Sequence, residues 1–159
     1  MASRSAGLLP YRRRDGRLEV LIGHMGGPYW AKKDERAWSI VKGELLEDEQ
    51  PYAAALREFA EETGVAPPAG VPLELGQVRQ SSGKTVAAWA IEAEQLDAAA
   101  LRSNTFELEW PPRSGRMQRF EEMDRFEWCP LELACRRLIA GQVSLAQRLA
   151  ELLASGHDG

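Results

Sequence analysis

A chain of 159 residues, 44% hydrophobic and 28% charged, has the size and balance of one ordinary globular domain able to bury its own core. A net charge of −4 argues against a broad nucleic-acid surface, which needs a basic excess to displace phosphate counterions, so DNA is not an expected partner. No apolar run reaches the roughly 18 residues of a membrane span, no apolar signal segment opens the chain, and two cysteines without CxxC spacing suit reduced thiols. The expectation is a soluble, cytoplasmic, single domain over 1–159 with no membrane partner.

Residues 5–13 and 17–25 are two apolar stretches split by Asp15 and Gly16, a pair suited to a tight hairpin. Residues 29–36 form a polar loop carrying Trp30, Lys32 and Lys33, and 38–41 is a short strand running into Lys42 and Gly43. Helical periodicity follows from 50 to 63. Pro51 suits its first turn, Gly64 its C-terminal cap, and Pro67 with Pro68 stops continuation. Residues 73–80 and 84–92 flank Ser81, Ser82 and Gly83 as a second hairpin. An alanine-rich helix over 94–101, a strand over 104–110, a loop over 111–115 and a strand over 125–129 come next. A long amphipathic helix from Pro130 to about 153 and a frayed tail over 155–159 complete the pattern. That helix can pack on its own sheet or contribute to a homodimer. Strands interleaved with two substantial helices imply an α/β fold, a mixed sheet flanked by helices.

On the helix over 50–63, with Glu58 at 0°, Glu62 falls at about 40° and Glu61 at about 300°, so three carboxylates share one arc. Tyr52, Ala55, Leu56 and Phe59 form a separate core-facing stripe. Three like charges on one patch repel, and two lie where the helix dipole disfavours anions. Such a patch fits a solvated acidic face, and it also fits a site for a hard divalent cation, which takes carboxylate oxygens. A break in local rules at one place is where function is expected.

The wider spacing decides between these. Gly43, five residues, Glu49, seven residues, then Arg57-Glu58-Phe59-Ala60-Glu61-Glu62-Thr63-Gly64-Val65 matches the Nudix box GX5EX7REUXEEXGU at every specified position. The chain resembles the Nudix hydrolases over this motif and the elements around it. The resemblance implies an α/β/α sandwich on a central mixed sheet, and hydrolysis of a phosphoanhydride bond in a nucleoside diphosphate linked to another moiety, X. It implies Mg²⁺, with Mn²⁺ able to substitute, held by Glu58, Glu61 and Glu62 and the carbonyl of Gly43. Arg57 and Glu49 would orient these carboxylates. Many members add a glutamate from the loop before the last strand; Glu121 and Glu122 occupy it here, and Glu122 is the preferred candidate, as ligand or general base, with Glu58 competing for the base role.

Lys42 before Gly43 resembles the lysine of a proline-lysine-glycine turn in members acting on dinucleoside polyphosphates and some nucleoside triphosphates, although Val41 replaces the proline. The segment 103–115 resembles short bacterial members described as predicted NTP pyrophosphohydrolases. Lys32, Lys33, Arg36, Lys42 and Lys84 are candidates for a phosphate channel. Trp30, Trp89 and Trp110 are candidate base-stacking platforms, of which Trp30 is preferred and Trp89 is expected in the core, and His24 reads as an ordinary histidine. The expected substrate is a dinucleoside polyphosphate or an NTP. Alternatives are removal of pyrophosphate from an RNA 5′ end, and a sensor that binds a nucleotide without cleaving it.

Overall fold

A computed structural model describes residues 3–156. The expectation of a frayed tail therefore lies outside the described residues from 157 onward. β1 (Arg4–Arg14) and β2 (Arg17–Met25) form the first hairpin, β3 (Trp38–Ser39) and β4 (Val41–Glu44) follow, and α1 spans Pro51–Thr63. β5 (Leu73–Arg79), β6 (Thr85–Glu92), β7 (Thr105–Glu109), β8 (Met117–Glu121) and β9 (Met123–Pro130) precede α2 (Leu131–Arg137) and α3 (Val143–Ala154). Among the described residues no helix is long and apolar enough to cross a membrane.

β1 organises the main sheet. It runs parallel to β6 and antiparallel to β2 and β4, giving the mixed order β3-β2-β1-β6-β5, with β4 on β1 and β9 on β2. Its side chains alternate between two buried faces: Ala6 and Leu8 point one way, Leu9 and Tyr11 the other. On the first face α1 packs through Ala54, Ala55 and Phe59. On the second, α2 and α3 pack through Ala134, Leu145 and Leu149. Burial on both faces explains why these strands read as apolar runs.

Four elements differ from the sequence pattern. The alanine-rich segment forms only a single 3₁₀ turn at Ala98–Ala100, with Asp97 accepting from the Ala99 N–H. A strand unforeseen at Met117–Glu121 pairs with β7 as a separate two-stranded ribbon. The strand expected over 38–41 is split, because Trp38 and Ser39 pair with β2 while Val41 onward pairs with β1.

The long C-terminal helix is also broken, between Arg137 and Val143. Leu138 becomes extended, and the Ile139 N–H donates to the Trp38 carbonyl at 2.9 Å. Arg36 Nη1 donates to the carbonyls of Cys135 and Leu138 at 2.5 and 3.1 Å. These tertiary partners replace the helical bonds that the break removes.

The break delivers Gln142, fully buried, to the crossover between β3 and β4. Its Oε1 accepts from the Ile40 N–H at 2.9 Å, and its Nε2 donates to Ser39 Oγ and Gln80 Oε1 at 3.0 and 3.1 Å. Ile40 sits where the chain leaves β2 and has not yet joined β1, so its N–H has no strand partner. A side chain supplies the missing acceptor, and the crossover then presents Lys42 and Gly43 beside α1. Gln142→Leu leaves that donor buried and unpaired, and the expected cost is about 2 kcal/mol of stability in urea unfolding.

Candidate active site

α1 runs from Pro51 to Thr63 and is capped by Gly64, whose φ of 75° is left-handed and whose N–H donates to the Ala60 carbonyl. No basic residue lies in its last turn. Arg57 lies mid-helix and organises the surrounding oxygens. Its Nε and Nη2 grip the two oxygens of Glu49 at 2.8 Å each, and Nη2 also donates to the Glu44 carbonyl at 3.0 Å. Nη1 donates to Glu58 at 2.8 Å and to Glu61 at 3.0 Å. The two-point grip, with the Leu46 N–H, holds the Glu49 carboxyl down at about 2. The loop from β4 to α1 is thereby tied to the helix that follows it.

Glu58 is 12% exposed and lies against Gly43. A Cβ at Gly43 would collide with the Glu58 carboxylate, so this position needs glycine for a close approach rather than for a turn. Burial pushes the Glu58 pKa up, against the pull of Arg57. Glu61 is 53% exposed. Glu62 turns away from Arg57, accepting from Asn104 Nδ2 at 3.3 Å and facing Glu122. Burial, reinforced by the Glu122 carboxylate, pushes the Glu62 pKa up to about 7.

Glu122 stands at the bend between β8 and β9. Its N–H donates to the Asn104 carbonyl and its carbonyl accepts from the Gly26 N–H, both at 2.8 Å. Glu121, its neighbour, ends β8 exposed. Glu62 and Glu122 line a cleft of about 290 Å³ with Trp30, Ser39, Lys42 and Phe106. Burial, then the nearby Lys84 charge, lowers the Lys42 pKa.

Of the five basic residues considered for phosphate, only Lys42 lines this cleft. Lys32 is exposed on its loop, and the Lys33 ammonium sits 5.4 Å over the Trp30 ring. Arg36 is committed to the carbonyls of Cys135 and Leu138 at the end of α2, and Lys84 pairs with Glu44 at 3.7 Å. Trp30 is half-buried at the cleft. Trp89, expected in the core, is half-buried and meets Tyr52 edge-on at 5.3 Å.

Phe106, Ser39 and Asn104 were not legible as site residues, because they reach it through the ribbon and the crossover. His24 is fully buried, with Nδ1 2.8 Å from Asp124 Oδ1 and Nε2 2.6 Å from the Lys33 carbonyl. It ties the loop 26–37, which carries Trp30, to the start of β9. Cys129 and Cys135 are free thiols, as expected.

The donor set is hard oxygen throughout, which suits a hard divalent cation. Among the described residues no three acidic, histidine or cysteine side chains converge on one point. Arg57 holds Glu58 and Glu61 on one side while Glu62 faces Glu122 on the other. The Glu62–Glu122 pair has no basic partner within hydrogen-bond reach among the described residues, and a cation there would offset its repulsion.

A family model for the NUDIX domain matches residues 1–152. The chain belongs to the Nudix family. Membership places it with hydrolases acting on acid anhydrides in phosphorus-containing substrates, enzymes that generally use divalent metals. The fold is similar to that of the C. elegans Ap4A hydrolase in a binary complex, with a TM-score of 0.68 and 23% identity over 97% of this chain and 99% of that one. It is also similar to the NUDIX domain of Shewanella oneidensis NrtR complexed with ADP ribose, with a TM-score of 0.64 and 18% identity over 96% and 89%. RenU, a Nudix hydrolase from M. smegmatis, gives a TM-score of 0.58 and 21% identity over 97% and 87%. No curated protein matches the chain in sequence.

The raised Glu62 pKa fixes the sign of a pH effect. Folded Glu62 keeps its proton from the ordinary value of 4.5 up to about 7, where the unfolded chain has lost it. This group therefore favours folding at low pH, and its contribution fades as pH rises through 7. Metal-free Glu62→Gln is expected to melt about 2–4 °C above wild type at pH 8 and level with it at pH 5, allowing for solvent screening of a half-buried group. Thermal unfolding in a chelator at both pH values is the measurement, and an equal offset at both contradicts the assignment.

Proposed function

We propose that this protein is a Mg²⁺-dependent pyrophosphohydrolase acting on a nucleoside diphosphate linked to X, with a dinucleoside polyphosphate or an NTP as substrate. The observation that carries this reading is the single cleft in which Glu62 and Glu122 stand beside Lys42 and Trp30. Glu58, Glu61, Glu62 and Glu122, with the Gly43 carbonyl, would hold Mg²⁺, and Mn²⁺ has the same preference for oxygen donors. When bound, the cation supplies positive charge at the reacting phosphate.

The chain's own groups do the rest. Lys42 meets the polyphosphate, whose charge favours the ammonium form that burial disfavours. A carboxylate, Glu122 or Glu58, takes the proton of the attacking water as a bridging P–O bond breaks and the bridging oxygen leaves on a phosphate. Arg57 positions rather than reacts, since every donor it has is spent on Glu44, Glu49, Glu58 and Glu61. Trp30 offers its ring to the base. A cytoplasmic location is part of this reading, supported by the two free thiols.

The C. elegans neighbour is an Ap4A hydrolase, which supports dinucleoside polyphosphates as the first substrates to try. The NrtR neighbour holds ADP ribose, which favours nucleotide binding without cleavage as the second reading. Incubation of a nucleotide panel with Mg²⁺ or Mn²⁺, with products resolved by chromatography, separates the two and identifies the bond cut. Glu62→Gln is expected to lower kcat on every active substrate by about a hundredfold or more, and unchanged rates refute the metal-ligand role. Lys42→Ala is expected to raise KM most for the longest polyphosphates; an equal rise for ADP-ribose removes Lys42 from the phosphate path. Arg57→Lys keeps the charge but not the fork, and a loss of about 10- to 100-fold in activity is expected in the same assay.

A further inference from the structure

One wall of the cleft belongs to no layer of the sandwich. β7 and β8 pair only with each other, and a lone two-stranded ribbon is marginal in water. Along β7, Thr105, Glu107 and Glu109 are exposed while Phe106 and Leu108 are half-buried, and Phe120 lies 6.0 Å from Phe106 between ring centroids. The ribbon thus has an aromatic face with little of the fold behind it.

Its root, by contrast, is built into the site. The Asn104 side chain bonds Glu62, the Asn104 carbonyl accepts from the Glu122 N–H, and Ser103 Oγ accepts from the Met123 N–H at 2.9 Å. These bonds bring Phe106 into the cleft against the backbone of Gly27, where a Cβ would stand 3.0 Å from Phe106 Cζ. Gly27 also has a φ of 93°, so the close approach of this loop to the ring rests on glycine twice over.

We infer that Phe106 is a specificity-determining residue whose ring, with Trp30 in the same cleft, receives the nucleobase of the substrate. The inference rests on the proposed nucleotide reading and deepens it. The cleft carries charge where Lys42, Glu62 and Glu122 lie, and flat apolar surface where Trp30 and Phe106 lie. A ligand that satisfies both is anionic at one end and planar at the other, which describes a nucleotide and not an inorganic polyphosphate. At about 290 Å³ the cleft is at the lower end of small-molecule sites, sized for one nucleoside end of a ligand. A base stacked there completes the ribbon's half-covered aromatic face.

The test compares AMP with ribose 5-phosphate, which lacks only the base, by calorimetry on the whole protein. Wild type is expected to bind AMP more tightly than ribose 5-phosphate. Phe106→Ala should weaken AMP about tenfold while changing ribose 5-phosphate less than about twofold, and Phe106→Trp should restore AMP binding. Phe106→Leu keeps apolar bulk without a π face; matching melting temperatures with weakened AMP binding separate stacking from collapse of the ribbon. Equal weakening of both ligands, unchanged AMP affinity, or wild-type AMP binding no tighter than that of ribose 5-phosphate overturns the inference. Because binding is read without turnover, base binding that depends on Phe106 in a protein that cleaves no anhydride refutes the hydrolase reading alone. Turnover of nucleotides with AMP affinity independent of Phe106 does the reverse.

Discussion

The guanidinium of Arg57 makes five hydrogen bonds, four to carboxylates and one to a backbone carbonyl. It anchors the loop after β4 through Glu44 and Glu49, and it sets the rotamers of Glu58 and Glu61 on its own helix. Without it, the acidic helix would present repelling side chains free to spread into solvent. With it, Glu58 is pressed onto Gly43 and the strand carrying Lys42 keeps its distance from the helix. A planar fork can do this where a flexible ammonium cannot, because its donors are fixed relative to one another.

The site is asymmetric around that anchor. Glu58 and Glu61 have the Arg57 guanidinium beside them, whereas Glu62 faces Glu122 in the cleft. The helix tolerates this and two anions near its C-terminal end because Ala54, Ala55 and Phe59 bury its other face completely. Local instability at the carboxylates is held in place by packing on the far side of the same helix. Two carboxyl groups held face to face on a rigid support suit a site that binds a cation.

Two long-range devices aim the rest. Gln142 fixes the crossover from β3 to β4, and so the placement of Lys42. His24, held between Asp124 and the Lys33 carbonyl, fixes the loop that carries Trp30 against the start of β9. The ribbon of β7 and β8 then closes the third side through Asn104 and Phe106. Each device joins residues far apart in sequence, and each ends on a side chain that lines the cleft or touches Glu62.

The carboxylate patch was legible in the residues themselves, and its chemistry in the resemblance that the motif carries. Spacing from Gly43 to Val65 is a local property, and a helix places i, i+3 and i+4 side chains without help from the remainder of the chain. The first hairpin, α1 and its caps, and the α/β class follow from periodicity and turn residues for the same reason. Other features depended on tertiary bonds. The C-terminal helix breaks because the backbone at Leu138 and Ile139 finds partners at Arg36 and Trp38, which no local propensity encodes. Phe106 and Ser39 join the site only through strand pairing and a buried glutamine. Lys42 was singled out by its place before Gly43, whereas the exclusion of Lys32, Lys33, Arg36 and Lys84 from the cleft was a matter of packing, visible only once their neighbours are known. Sequence alone determined the acidic helix, because its carboxylates depend on spacing within one element, and the resemblance carried by the motif from Gly43 to Val65 implied the kind of bond it serves. The tertiary structure decided which side chains stand around it, because a cleft is made by elements that meet only when the chain is folded.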